Sequence, residues 1–87
     1  MPKLNNKRAL VTGGARGIGA AIGKAFVAEG AAVIIADKDR ETGQQTADAL
    51  HARFFAMDVS SEEDWAHLAL AHPAMDIVVN NAGVTGF

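Results

Sequence analysis

The stretch from Arg8 to Gly19, which reads RALVTGGARGIG, most constrains how this chain can fold. A short apolar run gives way to a cluster of glycines, and an amphipathic segment follows at once. This order predicts a strand, a tight turn and then a helix. Backbone N–H groups at a helix start are unpaired and carry partial positive charge, and glycine lets an anion approach them closely. The stretch therefore predicts a phosphate-binding turn, with a strand-to-helix turn that holds no ligand as the alternative.

Length and composition narrow the class of protein. The 87 residues predict a single small domain, and a hydrophobic fraction of 49% is typical of a packed globular chain rather than a disordered one. A net charge of −2 offers no support for nucleic acid or an anionic membrane as the main partner. The absence of cysteine excludes disulfides and thiolate metal sites. No apolar run approaches the ~20 residues of a membrane span, and MPKLNNKR lacks an apolar signal core, so we expect a cytoplasmic protein.

Apolar runs alternate with helical segments along the whole chain. The predicted strands are residues 7–12, 32–36, 53–57 and 76–80, and the predicted helices are residues 17–29, 41–50 and about 60–71. The second strand is apolar throughout, as expected for a strand that is covered on both faces. This β-α-β-α-β-α-β order predicts an α/β fold with a parallel sheet, right-handed crossovers and helices on both faces.

Local patterns predict which sides of two helices face the sheet. In the first helix four apolar residues recur at helical spacing: Ile18, Ile22, Ala25 and Phe26. Gly23 lies in the middle of this helix and should cost about 1 kcal/mol relative to alanine, which close packing would explain. The third helix is predicted to begin with a capping box, Ser60-x-x-Glu63. Three of its residues are predicted to point inward: Trp65, Leu68 and Ala69.

Asp37, at the carboxyl end of the second strand, lies 18 residues after Gly19. In dinucleotide-binding folds a carboxylate about 20 residues past the glycine turn accepts hydrogen bonds from the adenosine ribose. It also repels a 2′-phosphate, which favours NAD over NADP. Arg16 and Lys38 could each reach a 2′-phosphate and keep NADP open. The alternative interpretation of Asp37 is a polar strand terminus in solvent.

Two further motifs follow strand ends. Asp58-Val59 comes after the third strand, and Asn80-Asn81-Ala82-Gly83 ends the fourth. Taken alone, the first could equally be an ordinary polar strand end, and the second an ordinary turn. A side-chain amide there can bridge neighbouring strand ends, and Gly83 lets a backbone approach a ligand closely. Ligands of open α/β sheets bind outside the carboxyl ends of the strands, which is where all of these motifs lie.

Over about residues 5–87 the chain resembles the short-chain dehydrogenase/reductase family. The glycine spacing, Thr12-Gly13-x-x-x-Gly17-x-Gly19, does not fit G-x-G-x-x-G but is similar to the family's T-G-x-x-x-G-x-G motif. Asp37, the Asp-Val pair and the N-N-A-G motif occur in the family's order. The resemblance implies a three-layer Rossmann-type parallel sheet, here truncated to about four strands in the order 3-2-1-4. It also implies an NAD(P)-dependent oxidoreductase that moves a hydride between nicotinamide and an alcohol or carbonyl.

The resemblance further implies which residues contact the cofactor, expected to be NAD with NADP less favoured. They are Gly13, Arg16, Gly17, Ile18, Gly19, Asp37, Asp58, Val59, Asn81, Ala82 and Gly83. The glycine turn would hold the pyrophosphate. Asp58 and its neighbouring backbone would meet the adenine edge, with Val59 near the ring, and the N-N-A-G motif would support the sheet and line the ribose.

The residues that catalyse hydride transfer in the family, a Tyr-x-x-x-Lys pair and a serine, come later in the chain than these motifs. This sequence contains no tyrosine, and its serines, Ser60 and Ser61, are predicted to begin a helix. The histidines lie on or at the ends of helices at spacings that match no metal pair: His51, His67 and His72. We therefore expect no catalytic residue and no metal ligand. The expected unit, residues 1–87, is a partial dinucleotide-binding domain without a catalytic and substrate half, inactive alone.

Two other interpretations stay open. The chain could be a stand-alone, non-catalytic half-fold that binds NAD or ADP-ribose, or a truncated remnant without a ligand. In the implied order the apolar strand IVVN lies at an edge of the sheet, where unpaired backbone groups invite pairing. The chain is therefore expected to self-associate or to pair with the missing half through this edge.

Overall fold

Within residues 3–81, three helices and four strands alternate. In order they are β1 (Arg8–Thr12), α1 (Gly17–Ala28), β2 (Ala32–Asp37), α2 (Arg40–Leu50), β3 (Arg53–Ala56), α3 (Glu62–Ala71) and β4 (Ile77–Asn80). The computed structural model describes residues 3–81. All strand pairs are parallel, in the order β3-β2-β1-β4. The predicted α/β class, strand order and elements are confirmed, with element ends that differ from the predicted ones by at most two residues.

Alternate residues of the central strands feed two separate cores. The buried core beside α1 and α2 consists of Ala9, Val11, Ala31, Val33, Ile35 and Ala47. The buried core on the opposite face, beside α3, consists of Leu10, Ile34, Ala36, Met57 and Leu68. Because helices cover both faces, β1 and β2 need apolar residues at nearly every position, which explains their continuous apolar sequence.

The side of α1 that contacts the sheet differs from the predicted one. Ile18 is 72% exposed and Ala25 is also exposed, so the prediction that they face the sheet was wrong. The face toward the sheet carries Gly19, Ile22, Gly23 and Phe26. A Cβ atom at Gly23 would lie 2.8 Å from Cδ1 of Ile35. The mid-helix glycine is therefore explained by close packing, because the α1 backbone lies directly on β2.

The N-terminus of α3 is shifted by one residue from the predicted capping box. Ser61, not Ser60, is the N-cap, and its Oγ accepts a hydrogen bond from the Asp64 N–H at 3.1 Å. The Asp64 carboxylate accepts from the Asp58 N–H instead of returning to the N-cap. Ser60 belongs to the preceding turn, where its Oγ and N–H both donate to the Asp58 carboxylate. Because Ser60 is hydrogen-bonded to Asp58 in that turn, the next residue, Ser61, is the N-cap of α3.

Helix α3 covers its face of the sheet only in part, and two large apolar side chains on this side of the molecule are exposed. Leu68 is buried and Trp65 is half-buried as predicted, but Ala69 is exposed and that prediction was wrong. Leu70 and Val78 are 83% and 55% exposed. Within residues 3–81, β4 pairs only with β1, so its other edge has no strand beside it.

In the described part of the chain, no helix combines the length and the apolar character that crossing a membrane requires.

Candidate functional site

The carboxyl ends of the four parallel strands meet at one edge of the sheet. A cavity of about 280 Å³ lies there, between the glycine turn that leaves β1 and the loops that follow β2 and β3. It is lined by Gly13, Ala36, Asp37, Lys38, Met57, Asp58 and Val59. The structure therefore brings together three of the segments that the sequence analysis placed at a common site.

The glycine turn requires glycine at two positions for conformational reasons. Gly13 has φ 64° and Gly17 has φ 62°, the left-handed region that side chains other than glycine rarely adopt. The Gly13 N–H donates to the Ala36 carbonyl oxygen at 2.8 Å, which ties the turn to β2. The chain thus leaves the central strand, reverses and enters α1 within four residues.

At Gly19 the requirement for glycine is one of space. A Cβ atom there would lie 2.2 Å from the Gly13 carbonyl oxygen and 2.8 Å from Nδ2 of Asn81. Only a hydrogen fits in that gap. The first turn of α1 is consequently pressed against the glycine turn, and its amino end lies at the edge of the sheet.

The N-terminus of α1 lacks the features that stabilise the other two helix starts. Its N-cap, Arg16, makes no capping side-chain hydrogen bond, and no acidic residue lies in its first turn. By contrast, Asp39 caps α2 and Ser61 caps α3, and both helices carry acidic residues in their first turns. Within its own cap and first turn, α1 therefore has no acidic group to offset its free amides and its positive dipole end, which fits an anionic group such as a pyrophosphate.

The carboxylate of Asp37 is held in place beside the glycine turn. Its Oδ2 accepts a hydrogen bond from the Ala15 N–H at 3.2 Å, and its Oδ1 accepts from the Asp39 N–H at 3.0 Å. The Ala15 carbonyl oxygen in turn accepts from the Thr46 hydroxyl of α2. Each carboxylate oxygen keeps a further lone pair, so Asp37 can still accept hydrogen bonds from a ligand's hydroxyl groups.

Arg16 is engaged within the protein. Its guanidinium forms an ion pair with Asp39 and donates to the Thr42 hydroxyl at 3.3 Å. The Asp39 carboxylate also accepts from the Thr42 N–H at 3.0 Å, and this capping interaction, together with the charge of Arg16, lowers the pKa of Asp39. Arg16 therefore links the glycine turn to the start of α2, while the neighbouring Lys38 is exposed.

The loop after β3 is held by two sets of contacts. The Asp58 carboxylate accepts from the Ser60 Oγ at 2.6 Å and from the Ser60 N–H at 2.9 Å. These hydrogen bonds, with a smaller contribution from the charge of Lys38, lower the pKa of Asp58. The Val59 carbonyl oxygen accepts from the Trp65 indole N–H at 2.9 Å. The loop therefore presents Asp58 as an ionised group on the cavity wall at neutral pH.

The end of β4 is fastened to the end of β1 by side chains. The Asn81 amide donates to the Gly13 carbonyl oxygen at 3.2 Å. The Thr12 hydroxyl, which is fully buried, donates to the Asn80 side-chain oxygen at 3.0 Å and lies 3.3 Å from the Val79 carbonyl oxygen. These contacts show the amide bridge between strand ends that the sequence predicted. Two predicted site residues, Ala82 and Gly83, lie outside the described residues.

The sequence profile of the short chain dehydrogenase family matches residues 7–87. The chain belongs to the short-chain dehydrogenase family. The match covers nearly the whole sequence, and it includes the glycine turn, Asp37, the Asp58-Val59 pair and the Asn80–Gly83 segment. The resemblance inferred from those motifs is thereby confirmed.

Curated members of the short-chain dehydrogenase family share over two fifths of the aligned residues. Zerumbone synthase from Zingiber zerumbet is 44% identical over 92 residues, and the match covers 97% of this chain and 34% of that protein. The 3-beta-hydroxysteroid dehydrogenase of Comamonas testosteroni is 42% identical over 88 residues, covering 94% and 35% respectively. The chain thus spans about a third of the length of these relatives.

Solved structures of short-chain dehydrogenases confirm the fold. One, described as a short chain dehydrogenase/reductase family protein, superposes with a TM-score of 0.89 at 42% identity, covering 97% of this chain and 36% of that one. Another, the Pseudomonas aeruginosa RhlG/NADP active-site complex, superposes with a TM-score of 0.86 at 38% identity. The match covers 97% of this chain and 37% of that one. The second structure is a complex with NADP.

Several contacts of this short-chain dehydrogenase site were not predicted from the sequence. Thr12 and Asn80 were predicted only as members of their motifs. In the structure, the Thr12 hydroxyl donates a hydrogen bond to the Asn80 side chain. Asp39 was not singled out, although it holds Arg16. The Trp65 indole was predicted only as core, but it supports Val59. A tryptophan that packs against a core usually needs an acceptor for its indole N–H. That rule could have predicted from the sequence that Trp65 bonds to a nearby carbonyl group.

Proposed function

We propose that this chain binds a dinucleotide, NAD in preference to NADP, as the cofactor-binding part of an alcohol or carbonyl oxidoreductase. The observation that carries the proposal is the uncapped N-terminus of α1, which lies beside a carboxylate that is fixed on the same turn. Asp37 and the glycine turn are joined by the hydrogen bond from the Ala15 N–H. A group that combines a pyrophosphate with a ribose fits this pair of features.

The glycine turn is the proposed pyrophosphate site. The N–H groups at the start of α1, from Gly17 to Gly19, supply donors without a side-chain competitor. Gly13 and Gly17 carry no side chain, and a Cβ atom at Gly17 would meet nothing within 4 Å, so the phosphates can lie close to the backbone of the turn. Ile18 is exposed at this start and offers an apolar surface beside the phosphates. Asn81, Ala82 and Gly83 are proposed to line the ribose on the β4 side.

The preference for NAD rests on charge at the end of β2. A 2′-phosphate on the ribose that Asp37 holds would lie against the Asp37 carboxylate, which the Ala15 and Asp39 N–H groups fix in place. The guanidinium of Arg16, which could otherwise attract that phosphate, already pairs with Asp39. Lys38 remains available, so the expected discrimination is a matter of degree rather than complete exclusion.

The cavity beyond Asp37 is proposed to hold the adenine. Asp58 and Val59 form its far wall, and Met57 is buried beneath them. Val59 supplies an apolar surface for a flat ring, and the Asp58 carboxylate supplies an acceptor for an amino group. The support of the Val59 backbone by Trp65 keeps this wall in position without the ligand.

NAD, when bound, would supply the hydride acceptor or donor, and the glycine turn and Asp37 would hold and orient it. The chain contains no tyrosine, so these 87 residues do not carry the Tyr-x-x-x-Lys pair that the family resemblance implies. We infer that residues 1–87 form a partial dinucleotide-binding domain that binds the cofactor without turning over a substrate. The substrate pocket of the complete enzyme is proposed to lie beyond it.

The open edge of β4 is proposed to pair with the rest of such an enzyme or with a second copy of the chain. Val78 is exposed there, and the unpaired N–H and C=O groups of this edge form a template for another strand. Equilibrium sedimentation of residues 1–87 tests this expectation. A concentration-dependent mass supports pairing, and a stable monomer at high concentration contradicts self-association.

Calorimetric titration with NAD, NADP and ADP-ribose tests the binding proposal. We expect NAD and ADP-ribose to bind, and NADP to bind about ten times more weakly, the ratio that corresponds to 1.4 kcal/mol. Asp37→Ser should weaken NAD and narrow or reverse the NAD-to-NADP ratio, because it removes both the ribose acceptor and the repulsion. Asp48→Ser, on the exposed side of α2, is the matched control and should leave the ratio unchanged.

The same titration separates the three interpretations. Absence of heat and of a thermal shift with all three ligands would leave only a remnant without a ligand. Binding by residues 1–87, together with alcohol or carbonyl turnover by the complete polypeptide that carries them, supports the oxidoreductase. Binding by a polypeptide that never turns over a substrate supports the stand-alone half-fold.

A further inference from the structure

A second cavity, of about 370 Å³, lies at the end of the sheet opposite the glycine turn. Four basic side chains line it: Arg8, His51, Arg53 and His72. Arg8 begins β1 and Arg53 begins β3, while His51 and His72 are the C-caps of α2 and α3. Ile34 and Met75 form an apolar floor. The cavity shares no lining residue with the proposed cofactor site.

The register of the sheet directs the two arginines to one place. Arg8 is paired with Ala32, and Arg53 is paired with Ile34, so all four residues lie on the α3 face. Two strand spacings of about 4.8 Å and two residues along the strand separate the arginine Cα atoms, which gives about 12 Å. Ala32 lies between them and contributes only a methyl group. Two guanidinium groups can therefore converge on one ligand above Ala32.

The two arginine side chains of this cavity, Arg8 and Arg53, have no ion-pair partner among residues 3–81. The ion pair in this part of the chain joins Arg16 and Asp39. Among the residues that the structure describes, no acidic one lines the cavity. Asp76 is the neighbouring carboxylate, and its Oδ2 accepts from the Arg8 backbone N–H at 2.8 Å rather than from the side chain.

The remaining opposing charge comes from two helix ends. The carbonyl groups at the C-termini of α2 and α3 carry partial negative charge. The backbone N–H groups of His51 and His72 already bond to carbonyls of these last turns. Asp48 lies on α2 near His51 and accepts from the Gln44 side chain. The two guanidinium charges therefore exceed the one full negative charge beside Arg8, that of Asp76, and the partial charges of the two helix ends.

We propose that this cavity binds a small organic anion, with its carboxylate or phosphate between Arg8 and Arg53 and a short apolar chain on Ile34 and Met75. Guanidinium groups bind both kinds of oxyanion in a bidentate manner, which accounts for the charged half of the cavity. The apolar floor accounts for the other half, because it selects an organic anion over an inorganic one. This site is independent of the dinucleotide proposal.

Titration of the full polypeptide that carries residues 1–87 with hexanoate, hexyl phosphate and inorganic phosphate tests the site. We expect hexanoate, hexyl phosphate or both to bind with a dissociation constant of about 1 mM or tighter, and inorganic phosphate to bind at least ~10-fold more weakly. The stronger of the two organic probes identifies the head group. Absence of binding by both organic probes, or binding of inorganic phosphate as tight as that of the better organic probe, would overturn the proposal.

Three variants locate the bound anion. Arg53→Gln should weaken the better probe ~10-fold or more, and Arg8→Gln should do the same. Arg40→Gln, an exposed arginine of α2 outside the cavity, should leave the affinity unchanged. Circular dichroism measures whether each variant is folded. If the Arg8→Gln variant is unfolded, the Arg53→Gln variant provides the test by itself. Unchanged affinity of a folded Arg53→Gln variant, or an equal loss in Arg40→Gln, contradicts the proposed site.

Discussion

The Gly13 carbonyl oxygen lies so near the Gly19 Cα that a Cβ atom on Gly19 would be only 2.2 Å away. The same oxygen accepts the Asn81 side-chain amide at 3.2 Å. The glycine turn, the start of α1 and the end of β4 therefore meet at one atom. Because this junction sets the direction of the α1 N–H groups, small changes in it should affect both stability and cofactor binding.

Gly19→Ala is expected to destabilise the fold by about 1–3 kcal/mol, the range for overpacking a tight site, and to abolish NAD binding. The new methyl group meets backbone atoms, which cannot rotate away as a side chain can. Urea unfolding and calorimetric titration measure the two effects.

Gly17→Ala is the matched control for the steric argument. A Cβ atom there meets nothing within 4 Å, but φ is 62°, so the cost is conformational alone. We expect about 1–2 kcal/mol of destabilisation with residual NAD binding. If Gly19→Ala binds NAD as well as Gly17→Ala does, the contact between α1 and the glycine turn has no role in binding.

Asn81→Ala removes the amide that joins β4 to the glycine turn. The Gly13 carbonyl oxygen then loses a partner in a half-buried site, so we expect a loss of about 1 kcal/mol in the free energy of unfolding. Thermal unfolding measures the loss. Asn5→Ala, in the exposed segment before β1, should change the melting temperature little. Equal losses in the two variants would show that the bridge contributes nothing.

Gly43 allows α2 to pack on the Phe54 ring of β3. A Cβ atom at Gly43 would lie 2.1 Å from Cε1 of Phe54, so Gly43→Ala should destabilise the chain by about 1–3 kcal/mol even though alanine favours the helix. Phe54→Leu alone should also destabilise, because it removes buried ring surface. In the double variant the methyl group replaces part of the lost ring, so the two losses should not add. Additive losses in a double-mutant cycle would contradict this direct contact.

Low pH should weaken the loops on both sides of the proposed ribose and adenine sites. The folded chain lowers the pKa of Asp39, through the Thr42 N–H and Arg16, and the pKa of Asp58, through Ser60. A carboxyl group with a lowered pKa stabilises the folded state above its ordinary value of 3.8, and this stabilisation is lost as the pH falls through the folded-state pKa. Urea unfolding between pH 7 and pH 2 should show that loss.

Asp39→Asn separates the charge of Asp39 from its role as a helix cap. Asparagine still caps a helix, so most of the stability at neutral pH should remain, while the slope of stability against pH below about pH 5 should decrease. Asp39→Ala should lose the cap as well. An unchanged acid slope in Asp39→Asn would show that this carboxylate does not contribute to the pH dependence.

The alternation of apolar runs with helical segments determined the α/β class, and motif order determined the family and the strand order. These features are local in sequence. An apolar run predicts a buried strand, and a glycine cluster predicts a turn, whatever else surrounds them. The glycine turn and Asp37 were predicted at the same edge because parallel strands place their carboxyl ends together.

Only the tertiary structure decided which atoms meet. Ile18 and Ala25 follow the helical spacing, yet Gly19 and Gly23 face the sheet because the backbone of α1 lies directly on it. The pairing of Arg16 with Asp39 joins residues that are 23 positions apart. Such contacts depend on distances of a few ångströms between separate elements, and the pattern of residues within one element carries no information about them.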